Sequence, residues 1–197
     1  MTKNRKLSKA LSPGFMFAVF VLTLGIFALR TPQKAFAHVV PSPCDFTTGG
    51  GFVFKDPWPS GPMVNFGIVG GCKNEGFFGH VNVVDHETGL HINGDVTAYF
   101  DPFPGGPSGY RDLCGTDKDT GAVFRVRTKD NGEPGGLDRF GIKTTAGYLV
   151  IVRELGPPGQ NGGGGNIQLH KPNPSTTAPA VAPDEITACG DDAGLGM

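Results

Sequence analysis

The sequence predicts an all-β domain: an antiparallel meander of about eight strands forming a barrel or sandwich. Three observations lead there. Short apolar–polar alternations of period two recur from residue 51 to residue 171, and beyond the leader no window carries a 3.6-residue apolar period. Glycine and proline, 32 and 17 of 197 residues, cluster between those runs, which marks them as loop punctuation rather than disorder. Four cysteines, an even number, all lie beyond residue 37, as expected of a disulfide-bonded exported chain.

Residues 1–37 read as a secretory signal peptide. Lys3, Arg5, Lys6 and Lys9 precede the apolar run Phe15 to Leu29, and AFA (35–37) offers small residues for cleavage after Ala37. The run falls short of the roughly 20 residues that span a bilayer, so membrane attachment would come only through an uncleaved signal segment. Without the leader, 11 basic residues face 18 acidic ones, a net charge of −7 with histidine neutral. That balance disfavours a phosphate backbone as partner and excludes nucleic-acid binding as the leading reading.

The β-domain occupies residues 38–172. Its runs are GFVF (51–54), MVNFGIVG (63–70), FFGHVNVVD (77–85), LHINGDVTAYF (90–100), AVFRVRT (122–128), RFGIKT (139–144), YLVIVREL (148–155) and NIQLHK (166–171). HETG (86–89) and TTAG (144–147) are hairpin-length connections, so neighbouring runs should pair antiparallel. The glycine-flanked first and last runs are placed to pair and close the sheet. Residues 173–197 open with NPSTTAPAVAPDE, which buries no core and reads as a flexible tether.

Among the cysteines, Cys72 and Cys114 sit mid-domain and are expected to pair, leaving Cys44 for Cys189; a free thiol or a bond to another chain are the alternatives for Cys189. No CxxC spacing suggests zinc.

The segment DHETGLH (85–91), with His80 upstream, resembles HExxH. The metal motif needs its histidines four apart on a helix; here His86 and His91 are five apart, with Gly89 between them and strand-like flanks. A hairpin fits better. Pairing Asp85 with Leu90 sets Val83 against Ile92 and Val81 against Gly94, and Val96, Ala98 and Phe100 should continue that apolar side. His80 then faces Asp95, Asn82 faces Asn93, and His91 faces Val84. His80 lies roughly 13 Å along the ribbon from His91, too far to share an ion.

Other constellations are weaker. Asp130, Glu133 and Asp138 in DNGEPGGLD are candidate calcium ligands, set against a tight turn built on Asn131–Gly132 and Pro134–Gly135. His38 would become the first residue after cleavage and could hold copper with a second histidine. Trp58 and the YFDPFP aromatics (99–104) could stack on a sugar. No GxSxG or GxxxxGK[ST] motif is present.

The segments TGGGFVF (48–54), VNFGIVGGCKN (64–74), GHVNVVDHETGLHIN (79–93), KDNGEPGGLDRFGI (129–142) and GGGGNIQLHKPN (162–173) resemble the landmarks of the post-COAP domain family across residues 44–172. The resemblance implies an exported bacterial β-domain without an established enzymatic activity. The expectation is therefore a non-catalytic, structural or adhesive module, secreted or in the cell envelope, contacting a cell-surface glycan or another surface protein. The alternative is a small carbohydrate-binding module, calcium-assisted or cofactor-free.

Overall fold

The computed structural model describes residues 38–56, 60–73, 76–156, 163–172 and 182–197. The expected signal segment 1–37, Trp58 and the first part of the expected tether, 173–181, lie outside them.

The domain is all-β. Nine strands form one antiparallel sheet: β1 (Phe46–Phe54), β2 (Met63–Lys73), β3 (Gly76–Asp85), β4 (His91–Phe100), β5 (Tyr110–Thr116), β6 (Val123–Lys129), β7 (Arg139–Thr144), β8 (Leu149–Glu154) and β9 (Gly164–His170). The order is β8-β7-β6-β5-β4-β3-β2-β1-β9, a meander whose last strand returns beside the first. The first and last runs pair as expected, from Phe46↔His170 to Phe52↔Gly164.

The sheet curls into a half-barrel. Five strand spacings separate β2 from β7, about 24 Å in a flat sheet. Yet the rings of Phe66 on β2 and Phe140 on β7 stack with centroids 3.9 Å apart. The inner face, closed over this stack, buries Val64, Ile68, Val81, Val83, Ile92, Leu113, Phe124, Val126 and Ile142 in one apolar core. Two cross-strand glycine pairs permit the tight curvature, Gly70↔Gly79 and Gly51↔Gly165. In each, one member takes a φ near +130°, where a Cβ would meet a neighbouring carbonyl oxygen at 2.1 or 2.3 Å.

The β3–β4 hairpin adopts the register read from the sequence: His80↔Asp95, Val81↔Gly94, Asn82↔Asn93, Val83↔Ile92 and Val84↔His91. One part of that reading needs correction. The apolar side does not run on through Ala98 and Phe100, because a register shift between Val96 and Ala98 inserts an extra residue. Parity flips, so Tyr99 joins the main core while Ala98 and Phe100 join a second cluster with Cys114 and Cys189 on the outer face.

Two further differences share a cause. The ninth strand, β5, was not among the expected runs, and residues 182–197 are no loose tether. These residues form a short helix, α1 (Glu185–Cys189), and an irregular strap that folds back against the outer face of the sheet. The strap buries the outward side of β5, so both faces of YRDLCG are covered and its alternation vanishes.

Candidate functional site

The strap-covered outer face holds the densest group of buried ionisable side chains. Strand alternation places Asp112 and Cys114 of β5, Arg125 and Arg127 of β6, and Lys143 of β7 on this side, with Asp112↔Arg127 and Arg125↔Lys143 as cross-strand pairs. Asp112 is fully buried, and Arg125 and Arg127 are 1% and 2% exposed. Arg127 grips Asp112 with two prongs, Nε to Oδ1 and Nη2 to Oδ2, both 2.8 Å. Arg125 Nη1 donates to Asp112 Oδ2 at 2.9 Å. Burial alone would lower the Arg127 pKa; the Asp112 and Asp192 carboxylates outweigh it and raise it.

The strap completes the charge pairing. Glu185 lies 2.7 Å from Arg125, Asp192 lies 2.9 Å from Arg127, and Asp191 contacts Lys143. The same cations hold strap carbonyls: Arg125 to Gly190 at 2.6 Å, Lys143 to Ala193 at 2.9 Å and Arg127 to Gly196 at 2.9 Å. Arg139 reaches Met197 at 3.0 Å. Asp184 caps α1 by accepting from the Thr187 N–H at 2.9 Å. Cys189 and Leu195 are the apolar plugs, 2% and 0% exposed.

His38 enters this group from the other end of the chain. Its Nδ1 lies 2.5 Å from Glu185 Oε1 and 3.1 Å from Arg125 Nη1. Arg125 Nη1 is thus shared by Asp112, Glu185 and His38, a guanidinium in the place a cation would take. The partners of His38 are carboxylates and an arginine; a second histidine that would make it a copper site is not beside it among the described residues. Nor are three His, Cys, Asp or Glu side chains grouped to hold a metal ion among them.

Two smaller networks fasten the rest. Inside the curl, Asp45 accepts from Tyr99 Oη at 2.8 Å and Arg111 Nε at 3.0 Å, while Thr47 meets Tyr99 at 3.0 Å. At the HETG turn, Asp85 accepts from Lys55 Nζ at 2.8 Å, Tyr148 Oη at 2.9 Å, and the Glu87 and Thr88 amides at 2.9 and 3.2 Å. Burial would raise the Asp85 pKa, but these donors prevail and lower it from 3.8 to about 2.

The candidate calcium ligands have a structural use. Asp138 accepts from the amides of Asn131 and Ile167, both at 2.8 Å; Asp130 accepts from those of Gly132 and Leu169, at 2.6 and 2.7 Å. Glu133 accepts from Asn166 Nδ2 at 3.0 Å. Ile167 and Leu169 lie on β9, a terminal strand of the sheet, so the loop's carboxylates cover amides that the sheet leaves unpaired. The loop also takes Leu155 N and Gly156 N from the chain after β8, at 2.7 Å each, and so bridges the seam. Burial, with the charges of Asp130 and Glu133, raises the Asp138 pKa despite its amide donors.

The three histidines stand apart as the register requires. His80 meets Asp95 at 3.1 Å, and His86 and His91 are exposed. Of the aromatic platform, Tyr99 and Phe100 are buried, and Phe103 lies against Tyr110 with Arg127 above it.

The expected disulfide pairing is corrected. The bonds are Cys44–Cys72 and Cys114–Cys189, with Cα separations of 5.6 and 5.0 Å. Cys72 and Cys114 cannot meet, because two strands stand between β2 and β5 and the span is about 14 Å, twice a disulfide's reach. They also belong to opposite faces of the sheet. Two such bonds suit an oxidising compartment.

The strap network escaped sequence reasoning because the proline-rich stretch masked the character of the residues after it. Cys189, Asp191, Asp192 and Leu195 were the available signal: a cysteine, paired acids and an apolar residue do not suit a spacer. No known family model, curated protein or solved structure matches the chain.

Proposed function

We propose that this chain is a non-catalytic, exported module, structural or adhesive, that works by presenting a rigid surface. One observation carries the reading: its buried carboxylates are internal fasteners. Asp112 joins β5 to β6, Asp45 joins the segment before β1 to β4 and β5, Asp85 joins the end of β3 to Lys55 after β1 and Tyr148 before β8, and Asp138, helped by the half-buried Asp130, ties the β6–β7 loop to β9. A carboxylate serving as general acid or base needs an open side toward substrate; these are turned inward to protein donors. The resemblance to the post-COAP family belongs to the same proposal. Folded protein, with both disulfides intact, should associate with cell-wall glycans or whole cells in pull-down. Absence of association with either, at high micromolar protein, would sink the adhesive half of the reading.

A cleft at one end of the half-barrel favours a second reading, carbohydrate binding. It has a volume of about 150 Å³ and is lined by Leu90, Ile92, Asp117, Thr120, Thr144 and Tyr148, among others. A glycan array with and without calcium separates the readings. Binding abolished by Tyr148→Ala would favour the cleft, and silence would favour the structural module.

A further inference from the structure

The strap and the face beneath it match one to one. Without residues 182–197 the face presents Arg125, Arg127 and Lys143 against the carboxylate of Asp112, while Arg139 keeps Glu154 of β8 as its partner. The strap supplies Glu185, Asp192 and Asp191, one for each cation in that order. The same three cations also read the strap's backbone, through the carbonyls of Gly190, Gly196 and Ala193. Leu195 and Cys189 fill apolar positions, and the disulfide to Cys114 locks the arrangement. Charge, backbone and shape are recognised together, which is how an extended peptide is held by a dedicated surface.

The strap is also separable from the sheet. It takes no part in the nine-strand order, and the backbone bond between it and a strand is Val152 N to Leu195 O, at 2.9 Å. Its bonds to Arg125, Arg127, Arg139 and Lys143 come from side chains of the face. It joins β9 through residues 171–181, so it can leave without unpairing any of β1–β9.

We propose that the outer face of β5–β7 is a docking surface for residues 182–197 of a second copy of this chain, and that an interchain Cys114–Cys189 bond is its covalent lock. An identical chain necessarily carries the matching segment, and exchanging an identical element is a low-cost route to assembly. The intramolecular strap competes at an effective concentration on the order of millimolar, so exchange belongs to concentrated protein, such as chains crowded on a surface. The locking chemistry balances with a glutathione redox pair. Two glutathione thiols first reduce the intrachain Cys114–Cys189 bond and leave as glutathione disulfide; glutathione disulfide then accepts two electrons and two protons from Cys114 of one copy and Cys189 of the other, giving one interchain disulfide and returning two glutathione thiols. This inference is independent of adhesion, since it concerns contact between copies.

The test uses two full-length chains, an acceptor carrying Cys189→Ser and a donor carrying Cys114→Ser, mixed in glutathione buffer and followed by non-reducing mass spectrometry. The linked heterodimer should form at least about tenfold faster than either homodimer, because docking raises the local thiol concentration. A donor also carrying Asp191→Asn and Asp192→Asn should link several-fold more slowly. Equal rates for heterodimer and homodimers, or indifference to the two Asp→Asn changes, overturns the proposal. A second arm avoids variants: wild-type chains, half of them labelled with nitrogen-15, are incubated in the same buffer and their disulfides mapped. Mixed-isotope Cys114–Cys189 links should rise with concentration while Cys44–Cys72 links stay within one isotope. Mixing at both bonds alike would mean wholesale unfolding, and mixing at neither would mean a strap that stays home; each refutes strap exchange.

Discussion

The outer face of β2–β4 and the outer face of β5–β7 belong to one continuous sheet, yet they solve opposite problems. On β3 and β4, His80, Asn82, Asn93 and His91 look outward and are partly or fully exposed, and the hydrogen bond of His80 with Asp95 is a surface contact. On β5 to β7 the same geometric side is roofed by the strap, and Asp112, Arg125 and Arg127 lie at 0–2% exposure. Solvent reaches His80, Asn82 and His91 of the first set. The second must satisfy itself, so each charge needs specific partners in fixed positions. A polar residue on a strand therefore signals solvent only where nothing covers it. A covered polar face makes the structure depend on individual side chains that an open face could lose.

The largest expected effect arises from that dependence. Asp112→Ala should leave two buried guanidiniums without their shared carboxylate and destabilise the fold by about 3–5 kcal/mol, the range for breaking a buried pair from one side. Urea denaturation is the check. A loss as small as that of a surface substitution would mean that the strap carboxylates, Asp192 and Glu185, suffice to hold the arginines. Next comes the lock. Replacing Cys114 and Cys189 by Ser together opens a bond with a sequence separation of 75 residues and should cost roughly 2–4 kcal/mol. Hydrogen exchange should then show the Val152 and Gly190 amides, which bond to or within the strap, losing protection first. Those of Val81 and Val83 on the β3–β4 ribbon should stay slow.

The contrast between the two faces also decides what was legible in the sequence. The β3–β4 ribbon could be registered residue by residue, because one side is apolar and core-facing while the other is polar and wet; period two then has a single consistent phase. The same reasoning failed at two places, both under the strap. The run YRDLCGT mixes Arg111 turned toward Asp45 inside with Asp112 turned toward Arg125 outside, so no phase reads as buried, and β5 was missed. The bulge between Val96 and Ala98 shifts the phase partway along β4, and only the cover over Phe100 makes that tolerable. The disulfides fail for a related reason. Pairing depends on strand order and face, and these come from long-range register that a single chain of letters does not carry. The DNGEPGGLD loop was half legible. Its turn character was plain, but its acids serve the amides of β9, a strand beginning 26 residues after Asp138.

Acid titration sharpens the comparison from a third place, the HETG turn. Asp85 is buried like Asp112 but has one lysine, one tyrosine and two amides as donors, and its pKa falls from 3.8 to about 2. A depressed carboxylate pKa stabilises the fold above the unfolded value and loses that contribution as pH falls through the folded one. Asp85 should therefore add roughly 2 kcal/mol at neutral pH, fading between about pH 4 and pH 2. Unfolding free energy measured against pH should show this slope in the wild type and lack it in Asp85→Asn. An unchanged slope would assign acid sensitivity to other carboxylates.

The smallest effect is expected where the sheet is open. His80→Ala removes the imidazole that faces Asp95, but the ring is 39% exposed and Asp95 keeps Lys118 as a partner at 3.1 Å. Water replaces what is lost, and the melting temperature should move by no more than about 2 °C. A shift several times larger would show that the outer face of β3–β4 is also covered, by a partner or by another copy of the chain, under the conditions of measurement. Repeating the melt across a hundredfold range of protein concentration would tell the cases apart, since only assembly makes the midpoint depend on concentration. A concentration-independent, near-zero effect would leave the strap, rather than the sheet itself, as the reason why one half of this surface tolerates substitution and the other does not.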